Sequence, residues 1–96
     1  MTDRELLELA AKAAELEEAK MRIEFNQWNP IADDGDALRL AVQLGLFIQI
    51  NSDSATAWKW RGENWYEQAS DNADDMSAAT RRAITRAAAE IGRNMK

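Results

Sequence analysis

The chain contains no histidine and no cysteine. Those two absences remove the commonest general base, the commonest metal ligand and the softest nucleophile together. They also exclude a disulfide framework and a thiolate metal site, so a reducing cytoplasm is the expected setting. Proline occurs once and glycine four times, too few for a linker-like or collagen-like chain. No apolar run approaches the length of a membrane span. Met1-Thr2-Asp3-Arg4-Glu5 shows no basic stretch leading into an apolar one, so no secretory signal is expected there. The nucleophile elbow, the phosphate-binding loop, the dinucleotide fingerprint and the zinc motifs are all missing. No catalytic residue, no cofactor and no metal is therefore expected, and the chain reads as a binding protein and not an enzyme.

What is present is a folding composition, 46% hydrophobic and 30% charged over 96 residues, which predicts a single domain over 1–96 with one core. The net charge of −5 is unevenly spread. Residues 1–77 hold 16 acidic and 7 basic side chains, net −9, and residues 78–96 are net +4. An acidic protein is repelled by phosphates, so direct nucleic-acid binding is not expected. A basic surface, including one that normally holds DNA or RNA, is the better match.

Thr2-Asp3-Arg4-Glu5 fits a capping box and predicts a first helix running to about Ala19. Met21, Ile23 and Phe25 alternate with polar residues, which predicts a short strand; the alternative is the end of a longer first helix. Trp28-Asn29-Pro30 reads as a loop packed as a lid over the core; the alternative is a recognition loop. The spacing of Ala37, Leu40, Ala41 and Leu44 predicts a second helix stopped by Gly45. Leu46–Ile50, Ala55–Arg61 and Trp65–Ala69 read as an antiparallel meander with turns at 51–54 and 62–64. Asp75 or Ser77 caps a last helix with a stripe of Met76, Ala79, Ala83, Ala87 and Ile91, joined by Ile84 and Ala88. The expected fold class is α+β: a small antiparallel sheet of three to four strands with about three helices packed on one face.

Three segments carry a resemblance: Thr2–Ala14, Trp28–Leu46 with its W-N-P and D-D-G-D-A-L-R-L-A runs, and Ala78–Gly92. In this order they resemble the NinX-like family of small tailed-phage and prophage proteins of unknown function, over about half the chain. The resemblance implies a phage or prophage origin and the cytoplasm of an infected bacterium. It brings no catalytic residues. The family pattern has a glycine after the first alanine run where this chain has Glu15-Leu16-Glu17-Glu18, which predicts a longer first helix here.

Trp58, Trp60 and Trp65 lie within eight residues of one another, with Lys59, Arg61 and Tyr66 among them. Trp58 and Trp60 share one strand face and Lys59 and Arg61 the other. The cluster is either an aromatic platform for a partner or the core face of the sheet under the helices. Asp33, Asp34 and Asp36 are candidates for partner contact through an acidic loop. As metal ligands they lack the calcium-loop spacing, and helix capping accounts for them. Arg81, Arg82 and Arg86 form a basic patch, suited to an anionic ligand or to pairing with the acidic first helix.

These features give a first expectation of a small phage inhibitor of a bacterial host protein. An antiviral defence component of the CRISPR type, itself nucleic-acid-binding, would be met through acidic loops and exposed aromatics. The alternatives are a nucleotide-sequestering protein, oligomeric, with tryptophans stacking the base and the arginines holding phosphate, and an accessory factor in phage DNA metabolism. No membrane partner is expected.

Overall fold

A computed structural model of the chain describes residues 2–52, 54–61, 64–69 and 75–95, with side chains for 2–52, 54–59 and 75–95. Thr2 opens helix α1 (Asp3–Ala13) with the capping box complete in both directions. The Glu5 amide donates to Thr2 Oγ1 at 3.1 Å, and the Thr2 amide and hydroxyl donate to Glu5 Oε1. The Thr2 amide and then its hydroxyl hold the Glu5 carboxyl below the usual carboxylate range. A lowered folded-state pKa contributes stability that is present above the ordinary value and is lost as pH falls through the lowered one.

The first helix ends at Ala13, not near Ala19, and it does so without glycine. Glu15 takes the left-handed conformation at φ 53°. Its amide donates to Lys12 O and that of Leu16 donates back to Ala11 O. This is the bonding of a Schellman stop, at the position where helices usually place glycine. The longer helix expected from the missing glycine is thus corrected: Glu15 accepts the strained backbone in glycine's place. Relieving that strain, Glu15→Gly is expected to raise stability by up to about 1 kcal/mol, because removal of the Cβ penalty outweighs glycine's greater unfolded entropy. Thermal melting of the variant checks it, and a lower midpoint would contradict it.

Of the residues expected to form a strand at 21–25, the first four are helical instead, in α2 (Ala19–Glu24), which buries none of its residues, and Phe25 caps its end. The alternation of Met21, Ile23 and Phe25 therefore does not reflect a pleated, half-buried surface. Met21 and Phe25 are exposed.

Helix α3 (Asp34–Leu44) starts from Asp33, whose carboxylate accepts the Asp36 amide at 2.8 Å. It stops at Gly45, left-handed at φ 67°, with the Leu46 amide donating to Ala41 O at 2.9 Å. Strands β1 (Phe47–Ile50), β2 (Ala55–Arg61) and β3 (Asn64–Ala69) then pair antiparallel in that order. The register sets Phe47 opposite Trp58, Ile50 opposite Ala55, Trp60 opposite Trp65 and Trp58 opposite Glu67. The expected turn residues Gly62 and Glu63, and the acidic stretch 70–74, lie outside the described residues. Helix α4 (Met76–Arg93) is capped by Asp75, which accepts both the Ser77 and Ala78 amides.

The architecture is α+β, but its layers differ from the expected three helices on one sheet face. Helix α4 is the one that lies across the strands, while α1 and α3 pack on α4. That makes α4 the centre of the molecule, buried on several sides, from Ala79 through Ala83, Ile84, Thr85, Ala87 and Ala88 to Ile91. Its small side chains let α1 and the sheet approach closely. Fully buried Thr85 donates its hydroxyl to Arg81 O at 2.8 Å and so takes no unpaired polar group into the core. Among the described residues no helix is long and apolar enough to cross a membrane.

Candidate functional site

Strand β2 decides which aromatics are available. Ala55 and Ala57 are fully buried in the core, so the odd-numbered side of β2 faces α4. Strand alternation turns Thr56 and Trp58 to the opposite side. The expectation that Trp58 forms the core face under the helices is corrected for this reason: alanine, not tryptophan, fills the space beneath α4.

On the open side Trp58 is half-buried and stacks on Phe47, with ring centroids 5.8 Å apart and planes 15° from parallel. The two sit directly opposite on β2 and β1. Such an aromatic pair contributes about 0.5–1.5 kcal/mol beyond burial and holds both rings in place. Phe47 is itself exposed. Gln49 and Thr56 share this face by register. Trp60 and Trp65 are opposite each other two register steps beyond, and Glu67 is opposite Trp58. The side chains of Trp60, Arg61, Trp65 and Tyr66 lie outside the described residues. Lys59, half-buried, belongs to the odd-numbered series with Ala57.

Phe47 is the residue that sequence reasoning missed. Its signal was present in the turn chemistry at 51–54. The Asn51 amide donates to Ser54 O at 2.8 Å, and a hairpin closed at that pair puts 47 opposite 58.

The acidic loop is used inside the molecule. Asp33 caps α3, and Asp36 accepts the Asn29 amide at 2.9 Å and Arg39 at 2.7 Å. Asn29 Oδ1 in turn accepts the Ile31 and Ala32 amides, and Pro30 is fully buried. Trp28-Asn29-Pro30 is thereby a structural loop fastened to the start of α3. Among the described residues no three acidic side chains gather around one point that would hold a cation.

Asp34 meets Arg81 at 2.6 Å, so the structure joins a residue of the acidic loop to one of the basic patch. Arg81 Nε also donates to Ile31 O at 2.8 Å. Arg82 pairs with Asp3 at 3.1 Å, on α1. These arginines sit on α4, across the sheet from Trp58. One protomer therefore does not bring Trp58 and this pair into a common pocket, as a stacked nucleotide would require.

The two partners of the Arg81 pair differ in weight. Asp34 is mostly exposed and Arg81 is not. Asp34→Asn is expected to cost less than about 0.5 kcal/mol, as for other solvated pairs. Arg81→Ala is expected to cost about 1–2 kcal/mol, because it also strips the Ile31 carbonyl of its donor. Urea titration of both variants distinguishes the cases, and equal losses would contradict this assignment.

No protein-family model matches the chain, and no curated protein or solved structure matches it either.

Proposed function

We propose that the chain is a binding protein that docks on another protein through the open face of its sheet. The observation that supports this reading is the Phe47–Trp58 stack on the side of β1 and β2 turned away from α4. A stacked aromatic pair on a sheet face is the kind of anchor that dominates protein interfaces, since ring contacts made before binding reduce the ordering cost. The register adds Trp60 and Trp65 to the same strip of sheet. The acidic loop, with Asp33 and Asp34 largely exposed beside their caps and ion pairs, adds negative charge to the molecule.

The acidic balance favours a partner with a basic surface. That the partner is a host protein of an infected bacterium, such as a nucleic-acid-binding component of an antiviral system, rests on the phage resemblance of the three segments described above. An inhibitor of this kind needs no catalytic group; it acts by occupying the target's working surface.

The test is an affinity capture of the tagged protein from bacteria with and without defence systems, run with four baits. The chain itself is expected to retain one stoichiometric basic partner. Trp58→Ala and Phe47→Ala should lose it by at least about tenfold, in line with a hot-spot anchor, and Arg39→Ala, on α3, should keep it. Capture that survives removal of both aromatics would place binding elsewhere and end this reading.

A further inference from the structure

Four of the large apolar side chains left exposed belong to α3 and to β1, the strand that follows it in the chain. Leu38 (61% exposed) and Val42 (74%) are one turn apart on α3, and Phe47 (55%) and Ile50 (59%) are on β1. Strand β1 is an edge of the sheet. Natural edges are blunted by charge, proline or a bulge, because their unpaired amides and carbonyls recruit other strands. Phe47-Ile48-Gln49-Ile50 has no charge and no proline, whereas the opposite edge, β3, carries Glu67. Beneath β1, between α3 and the start of α4, an open pocket of about 530 Å³ is lined by Leu38, Ile48, Ile50, Met76 and Ile84. Among the described residues nothing covers this edge, and its apolar underside is incompletely filled.

We propose that the β1 edge is the two-fold interface of a homodimer, in which β1 of one copy pairs antiparallel with β1 of the other and the two sheets become one. Charge argues for a second copy. Each chain carries −5, so two copies repel wherever their charged surfaces meet. Leu38, Ile48 and Ile50, which line the pocket, offer a surface where they meet without setting like charges opposite. The nearest charges at the pocket, Asp34 and Arg81, neutralise each other. A strongly basic or acidic partner would find nothing here to complement.

The backbone selects the register. The Asn51 amide points inward to Ser54 O, so alternation along the ladder also turns the amides and carbonyls of Phe47 and Gln49 toward β2. Those of Ile48 and Ile50 face outward. A two-fold axis normal to the sheet keeps the faces matched only if paired residue numbers sum to an even value. An axis through Ile48 would pair Ile50 with Leu46, whose amide is already given to Ala41 O. An axis through Gln49 pairs Ile48 with Ile50 of the second copy, twice, and closes four main-chain hydrogen bonds. It also places all four isoleucines on the side of the pockets, with the exposed faces of the two α3 helices beside them. Gln49 then meets its own copy in a non-hydrogen-bonded pair.

The absence of cysteine makes this testable with a single thiol. Cα atoms of a non-hydrogen-bonded antiparallel pair are about 4.5 Å apart, within disulfide range. Gln49→Cys should oxidise to a covalent dimer at least about tenfold faster than Glu24→Cys on α2, which serves as the control for random collision. In sedimentation velocity the unmodified chain should pass from monomer to dimer with rising concentration. Ile50→Lys, which charges the edge, should weaken the dimer by at least about tenfold while melting at the same temperature. A chain that stays monomeric at roughly 1 mM overturns the proposal. So does a dimer indifferent to Ile50→Lys, or a Gln49→Cys thiol that oxidises no faster than the control.

Discussion

Gly92→Ala is expected to lower the melting temperature by roughly 12–24 °C, corresponding to a loss of about 3 kcal/mol at 4–8 °C per kcal/mol for a domain of this size. Gly92 lies inside α4, where alanine would ordinarily be the better helix former by about 1 kcal/mol. Packing reverses that sign. A Cβ built on Gly92 would sit 2.0 Å from Leu9 O and 2.9 Å from Leu9 C, and 3.3 Å from the Ala13 amide nitrogen. All three are backbone atoms of α1, so no rotamer change relieves the overlap. Helix α1 must move as a body, and with it the buried Leu6, Ala10 and Ala13 that seal the core. Overpacking costs typically about 1–3 kcal/mol when side chains can give way; here they cannot. Gly35→Ala is the control. Its Cβ would meet only side-chain ends, Arg39 and the capping Asp33 carboxylate, each at 3.2 Å, which can give way by a few tenths of an ångström, and the gain in helix propensity should leave the variant close to the parent in stability. Melting of both variants by circular dichroism checks the pair. A Gly92→Ala midpoint within about 2 °C of the parent would show that α1 and α4 are not in backbone contact at this crossing.

Residue types with one strong local role were legible from the sequence. Thr2 with Glu5 announced the start of α1, Gly45 the end of α3, and the stripe from Met76 to Ile91 the buried side of α4. Each of those signals acts over three or four residues through hydrogen bonds or helical spacing. What escaped was decided over longer distances. Nothing local marks Glu15 as left-handed, because its conformation is set by how α1 must end against α4 rather than by its own preference. Met21, Ile23 and Phe25 alternate, but a strand needs a neighbour to pair with, and the sheet order gives this segment none. The candidate site was half legible. Alternation grouped Trp58 with Trp60 but did not say which side of β2 the helix would take. Asp34 and Arg81 are 47 residues apart in sequence, so their pairing was out of reach of spacing arguments.

Ala57→Leu is expected to destabilise the protein by about 3 kcal/mol, whereas Trp58→Ala should cost only about 1–2 kcal/mol. Size alone predicts the reverse order, since the tryptophan change deletes many more atoms. Burial inverts it. Ala57 has no exposed surface, and it shares the core with the buried α4 alanines Ala83, Ala87 and Ala88. Three additional carbons on Ala57 have no void to enter, so the helix must lift from the sheet. Lifting α4 also loosens its contacts with α1 and α3, because α4 is the element all the other layers share. Trp58, half-buried on the far face, gives up its stack on Phe47 and some area, and the surrounding water replaces it. The small residues on both sides of the helix–sheet contact carry the physical logic. A close approach of α4 requires alanine at Ala55 and Ala57, and this is what frees Trp58, at the alternate position of β2, to carry its ring outward. Guanidinium unfolding of the two variants at matched conditions gives the comparison directly. If Trp58→Ala proves the more damaging change, the tryptophan side is the core of the sheet, and the open aromatic face on which the binding proposal stands does not exist.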